Sequence, residues 1–194
     1  MNLRPHHYLL ISQIILTASV LLCTIIFPQY LLSTNQGGVS NFGTEDRTRV
    51  VFSIGFGAVA VGSWLAARRI RIVAKRLSRL RWGLYLLSCL YLLVLISTFS
   101  YKLVPAYRTL HIQAAILLFW GMLALAIWLR IILNNQSAIR VAFIVFVVGF
   151  VTALLTFIGI FHLLFVAQLI CGFSFGYILV RGVASLENIA TQKS

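Results

Sequence analysis

The chain has 194 residues, of which 61% are hydrophobic and 10% charged, at a mean hydropathy of +0.99. A water-soluble domain runs about 45–50% apolar and about 25% charged because its surface must be wetted, so this composition excludes one, and its hydrophobicity excludes a disordered chain. Sixteen Lys and Arg against three Asp and Glu give a formal charge of +13, which calls for a polyanionic neighbour, either nucleic acid or an anionic membrane face; three cysteines are too few for a disulfide scaffold.

A helix needs about 20 apolar residues to cross about 30 Å of hydrocarbon. Charge-free runs predict spans at 8–27, closed by Pro28; at 50–67, between Arg49 and Arg68; at 83–101, between Arg81 and Lys102; and at 110–129, ended by Arg130. The first is too long for the usual apolar core of a signal peptide, about 7–15 residues, and reads as a retained anchor. The last run, 141–180, holds 40 residues without a formal charge. At about 1.5 Å per residue one straight helix of that length would be twice as long as the membrane is thick. The run must fold back, and Gly159-Ile160-Phe161-His162 is the best break, giving spans at 141–158 and 163–180. The runs lack the period-2 alternation of a membrane barrel. The predicted fold is an all-α integral membrane protein, a six-transmembrane-helix bundle in a single polytopic domain over 1–194.

Basic residues flanking the spans set the orientation. With both termini cytoplasmic, the inner segments carry Arg4, seven cations from Arg68 to Arg81, Arg130, Arg140, Arg181 and Lys193, twelve in all; the outer ones carry Arg47, Arg49, Lys102 and Arg108. This predicts a multi-pass cell-membrane protein with both ends inside and the sequon Asn135-Gln136-Ser137 on the unglycosylated face. Residues 28–49 form the long outer loop and 68–82 a basic inner loop.

In the inner loop Arg68, Arg69, Arg71, Lys75, Arg76, Arg79 and Arg81 alternate with Ile70, Val73, Leu77 and Leu80 at helical spacing. Such a segment reads as an amphipathic helix on the inner leaflet, or as an extension of the second span. Each cation beside anionic headgroups contributes about 1 kcal/mol, so anionic inner-leaflet lipids are the expected partner. The plainer reading is a topology anchor. Nucleic acid is not expected as a partner: no recognition fold surrounds the cluster, and Trp82 sits at the membrane entry rather than among the cations as a stacking platform.

No Asp, Glu, Lys or Arg falls inside the six spans. Pumps, proton-coupled carriers and voltage sensors need ionisable groups at membrane depth, so those classes are disfavoured. Small and polar residues form stripes instead: Gly55, Ala58, Gly62 and Ala66 in the second span, Gly149, Thr152, Thr156 and Gly159 in the fifth, and Gln168, Gly172 and Gly176 in the sixth. These read as close helix packing, with Gln13 and Gln113 also facing protein. Gly172-Phe173-Ser174-Phe175-Gly176 matches the G-x-S-x-G pattern, but a nucleophile elbow needs a strand before it and an acid in reach; here it reads as two packing glycines. Cys23, Cys89 and Cys171 lie in spans and behave as small apolar residues.

On the outer side His111, His162, Glu45 and Asp46 supply donor types for a divalent metal or an acid/base pair. The 51 residues between the histidines carry no local ligand geometry, so no metal, cofactor or catalytic residue is expected, and these four remain weak candidates. The turn-rich outer loop is the natural place for recognition, or a simple lid.

Pro28 soon after the first span, then Val39-Ser40-Asn41-Phe42-Gly43-Thr44, and His111 opening the fourth span with Ala114-Ala115 behind it, together resemble the six-span membrane family catalogued as domain-of-unknown-function family 998, distantly DRAM/Frag-like. The resemblance covers nearly the whole chain, implies a six-helix bundle without an established activity, and carries over only Ser40, Gly43 and His111. The run Glu45-Asp46-Arg47-Thr48-Arg49 is more polar than the family pattern.

The functional expectation is a non-catalytic membrane protein acting through lipids or a partner membrane protein. The alternatives are a translocator of a small molecule or lipid along an uncharged path past Gln168 and Thr156, and a metal-dependent enzyme on the outer face.

Overall fold

The computed structural model describes residues 3–28, 38–72, 75–99 and 104–191. Over these the chain forms seven helices and no strand: α1 (Pro5–Ile26), α2 (Asn41–Thr44), α3 (Arg49–Arg69), α4 (Lys75–Phe99), α5 (Pro105–Ile132), α6 (Ser137–Phe157) and α7 (Leu164–Thr191). All but the short α2 are long and apolar enough to cross a membrane, which makes this a multi-pass membrane bundle by length and composition. Proline opens α1 and α5, where its missing N–H costs nothing and its fixed φ suits the first turn.

The long apolar run folds back where the flexible residue was expected. Gly159 has φ +84°. Its N–H donates to the Thr156 carbonyl at 3.0 Å and that of Ile160 to the Leu155 carbonyl at 2.9 Å, the paired bonds of a Schellman cap. The cap satisfies two carbonyls that would otherwise be stranded, and α7 starts five residues later at Leu164.

Between membrane helices the hydrophobic effect gives little, so close contact has to come from small residues. A Cβ on Gly55 would meet the Ser19 Cβ at 2.8 Å, and one on Gly62 would meet the Ser12 Cβ at 2.5 Å and the Tyr8 carbonyl oxygen at 3.0 Å. Seven residues along α3 thus match seven back along α1: the two run antiparallel, serine against glycine. Ala66 is fully buried and Ala58 half-buried on the same helix. Gly149 of α6 abuts Ile170 and Cys171 of α7 in the same way.

Gly159, Gly172 and Gln113 depart from the expected packing, Gly159 because it lies past the end of α6, in the turn, where a Cβ would meet nothing within 4 Å. Gly172 would meet nothing within 4 Å and borders a cavity instead of a helix. Gln113 is exposed, because at 3.6 residues per turn it lies about 200° around α5 from the buried His111, and one helix face cannot hold both.

Three contacts gather the same end of the bundle. His6 Nδ1 and Glu187 Oε2 lie 2.8 Å apart, tying the start of α1 to the end of α7. Gln136 Nε2 donates to Ser185 Oγ at 2.8 Å, and Gly182 abuts Leu129. The beginning of α1, the α3–α4 and α5–α6 connections and the end of α7 therefore share one end.

At that end the basic segment is not a separate surface helix. α3 stops at Arg69, and Lys75 already begins α4, so Arg76, Arg79 and Arg81 belong to the third spanning helix. Ile70, Leu77 and Leu80 are buried in the protein core, which leaves the lipid surface to the cations. Val73 lies outside the described residues. Arg68, Arg69, Arg71, Lys75, Arg76 and Arg79 are exposed, while Arg81 is half-buried with its guanidinium 5.7 Å from the Tyr85 ring centroid. Trp64 and Trp82 flank that tyrosine, at 4.8 and 5.9 Å between ring centroids, as an interfacial aromatic belt would.

Candidate functional site

The opposite end is closed by residues 38–48. Val39 and Phe42 are apolar residues in a polar stretch, and they insert into a cluster with Val20, Cys23, Phe52 and Phe165; Phe42 meets Phe165 edge-on at 5.8 Å. The turn is held from below. Gln168 Oε1 accepts the Val39 N–H at 2.6 Å, and Thr48 Oγ1 donates to the Phe42 carbonyl at 2.7 Å. Two glycines permit this approach: a Cβ on Gly38 would fall 2.3 Å from Gln168 Oε1, and one on Gly43 would fall 2.5 Å from the Thr98 methyl. Of the outer loop read from the sequence, this part is a plug seated in the bundle; 29–37, including Ser33-Thr34-Asn35 and Gly37, lies outside the described residues.

Beneath the plug sits His111, 6% exposed. Its Nδ1 lies 3.1 Å from Ser97 Oγ and 3.2 Å from Thr98 Oγ1. Both hydroxyls donate to the Val94 carbonyl, at 3.0 and 2.7 Å, which uses the single proton each possesses. The two oxygens are then placed as acceptors, an arrangement suited to a ring proton on Nδ1.

The ring lines two adjoining cavities. One, of about 100 Å³, runs into the bundle between α1, α4, α5 and α7 past Gln13, Tyr91, Gln168 and Gly172. The other, of about 300 Å³, lies between α5 and α6, with Ser40, Asn41 and Thr44 of the plug at one end and Ile116, Phe119, Trp120, Phe150, Leu154 and Phe157 along its length. Ser40, His111, Ala115 and Phe119 border both. The second cavity exists because α5 packs mainly on α4, and α6 on α7. Joined by a short connection at the basic end, α5 and α6 diverge toward the plugged end. Ile116, Trp120, Leu154 and Phe157 are exposed along the resulting lateral cleft. Among the described residues no Asp, Glu, Lys or Arg lines either cavity.

The structure distributes the sequence candidates unequally. Ser40 and His111 meet at the cavities, and Gly43 lies in the plug beside them. Gln168 acts as the anchor of the plug and a cavity wall rather than as glue between helices. Gly176 abuts the Gln13 side chain, as a packing glycine should. Thr156 donates to the Thr152 carbonyl of its own helix at 2.9 Å and borders neither cavity, so the polar path read past Gln168 and Thr156 does not continue through it. Ser174 likewise bonds back to the Ile170 carbonyl of its own helix, unlike an elbow serine. Asp46 pairs with Arg49 at 2.6 Å on the surface, and His162 is exposed. Among the described residues no three His, Cys, Asp or Glu side chains gather in a metal-holding group, so His111, His162, Glu45 and Asp46 do not form one centre. Sequence reading missed Ser97 and Thr98, whose only signal was two adjacent hydroxyls near a span end.

Comparison with family models, curated proteins and solved structures finds no match.

Proposed function

We propose that this is a cell-membrane protein with both termini cytoplasmic, which acts without chemistry of its own, through its contacts with membrane lipids and with a partner membrane protein. The observation that carries this reading is the segregation of charge. Arg4, Arg68, Arg69, Arg71, Lys75, Arg76, Arg79, Arg81, Arg130, Arg140 and Arg181 lie at the end where His6 meets Glu187, against Arg47, Arg49 and Arg108 at the plugged end. Lys102 and Lys193 lie outside the described residues. Such an asymmetry supports a cytoplasmic basic end.

Exposed cations around the Trp64, Trp82 and Tyr85 belt are suited to anionic headgroups, each contributing about 1 kcal/mol. The resemblance to domain-of-unknown-function family 998 agrees with this reading, and we propose membership of it on the same residues.

The test is native-lipid purification followed by mass spectrometry. Anionic lipids should be enriched over the bulk membrane, and changing Arg68, Arg69, Arg71, Lys75, Arg76 and Arg79 to Gln should remove the enrichment. Equal lipid profiles for the two proteins would refute the lipid role.

A further inference from the structure

We infer that the paired cavities at His111 form a binding site for an uncharged, single-chain lipid with a hydroxyl headgroup, admitted sideways from the bilayer between α5 and α6. Four observations converge on that ligand class. The larger cavity, about 300 Å³, stands at the lower end of the range of about 300–1,000 Å³ typical of ligand pockets, which suits one hydrocarbon chain and not a two-chain lipid. Its long wall is apolar and aromatic, formed by Ile116, Phe119, Trp120, Phe150 and Leu154.

Its mouth is lateral. Exposed Ile116, Trp120, Leu154 and Phe157 continue the surface that faces the hydrocarbon, so a chain can pass from bilayer to cavity without meeting water.

The polar groups are confined to one end, where Ser40, Asn41 and Thr44 of the plug meet His111. These are neutral donors and acceptors, matched to a hydroxyl that does both. With no Asp, Glu, Lys or Arg lining either cavity among the described residues, a carboxylate or phosphate would be held without a counter-charge, at a cost that favours an uncharged headgroup. The smaller cavity, reached past His111 and Ala115, accommodates the headgroup beneath the plug.

The shared chemistry, a hydroxyl on one long chain, occurs in monoacylglycerols and in long-chain alcohols. The experiment uses the full chain in phosphatidylcholine vesicles with three diazirine-bearing probes: a monoacylglycerol, a long-chain alcohol and a fatty acid. Irradiation and peptide mapping should place one or both neutral probes on 112–120 and 150–157, and which of the two labels identifies the source. The fatty acid should label those peptides roughly tenfold less, a difference of about 1.4 kcal/mol. Ala115→Phe, at the junction of the cavities, should abolish the labelling. Gly172→Val is the second variant, since a Cβ there meets open space and the fold should survive; it should weaken labelling by the monoacylglycerol, whose headgroup reaches further. Labelling spread evenly over all lipid-facing helices and insensitive to both variants would overturn the site. Equal labelling by the fatty acid would overturn the assignment of an uncharged ligand.

Discussion

Gln168 of α7 holds the backbone of Val39, 129 residues earlier in the chain, by a 2.6 Å hydrogen bond from the Val39 N–H to its side-chain oxygen. One amide thus fixes the segment that closes the plugged end and, with it, one wall of both cavities. Replacing Gln168 by Leu leaves the Val39 N–H without its acceptor at a cost of about 1–3 kcal/mol. The expected outcome is faster amide hydrogen exchange across 38–48 with little change in the spanning helices. Unchanged protection of that segment would show that the apolar contacts of Val39 and Phe42 and the Thr48 hydrogen bond seat the plug without Gln168.

The serine-glycine seam between α1 and α3 should be intolerant of a single methyl. Gly62→Ala places a Cβ 2.5 Å from the Ser12 Cβ and 3.0 Å from a backbone oxygen, which cannot yield as a flexible side chain does. Overpacking of this kind costs about 1–3 kcal/mol, read as a lower melting temperature in detergent. Gly57→Ala on the same helix meets nothing within 4 Å and should be neutral or slightly stabilising, since alanine is the better helix former.

Ser63 is fully buried, and its hydroxyl has no hydrogen-bond partner among the described residues. An unmet buried hydroxyl costs about 1–3 kcal/mol, so Ser63→Ala should raise the melting temperature. A fall would mean that the hydroxyl is satisfied by a bound water or lipid.

At the turn between α6 and α7 the backbone of Gly159 is left-handed, at φ +84°, with open space around it. Gly159→Ala should therefore cost about 1 kcal/mol through conformation alone, not through a clash. Gly159→Asn should recover part of the loss, because asparagine tolerates that region better. Parallel thermal melts of the two variants distinguish strain from any other effect.

The spans were legible because each is a local run: charge and hydropathy along the chain suffice to find a helix that must sit in hydrocarbon. Gly159 was legible for the same reason, being the flexible residue where a run of 40 had to bend. The site was only half legible. His111 stands out as a polar ring in a span, but its partners Ser97 and Thr98 are 14 and 13 residues away on another helix, and no spacing rule connects them. Gln113 was misread because polarity suggested an inward face that the helical angle from His111 forbids. The basic segment read either as a surface helix or as an extension of the second span, and is instead shared between the end of α3 and the start of α4, because Ile70, Leu77 and Leu80 have the same periodicity whether they face lipid or the protein core. The lateral cleft depends on how α5 and α6 diverge, a property of packing partners that no single segment encodes.

Membrane sidedness tests the central claim most directly. In a variant with Cys23, Cys89 and Cys171 replaced by alanine, single cysteines are introduced by Glu45→Cys in the plug or Arg71→Cys at the basic end, and intact cells are treated with a membrane-impermeant maleimide. The expected result is labelling of the Glu45→Cys protein on intact cells and of the Arg71→Cys protein only after permeabilisation. Labelling in the reverse order, or recovery of the protein as a folded monomer in detergent-free buffer, would contradict a bundle that spans the bilayer with its basic end inside.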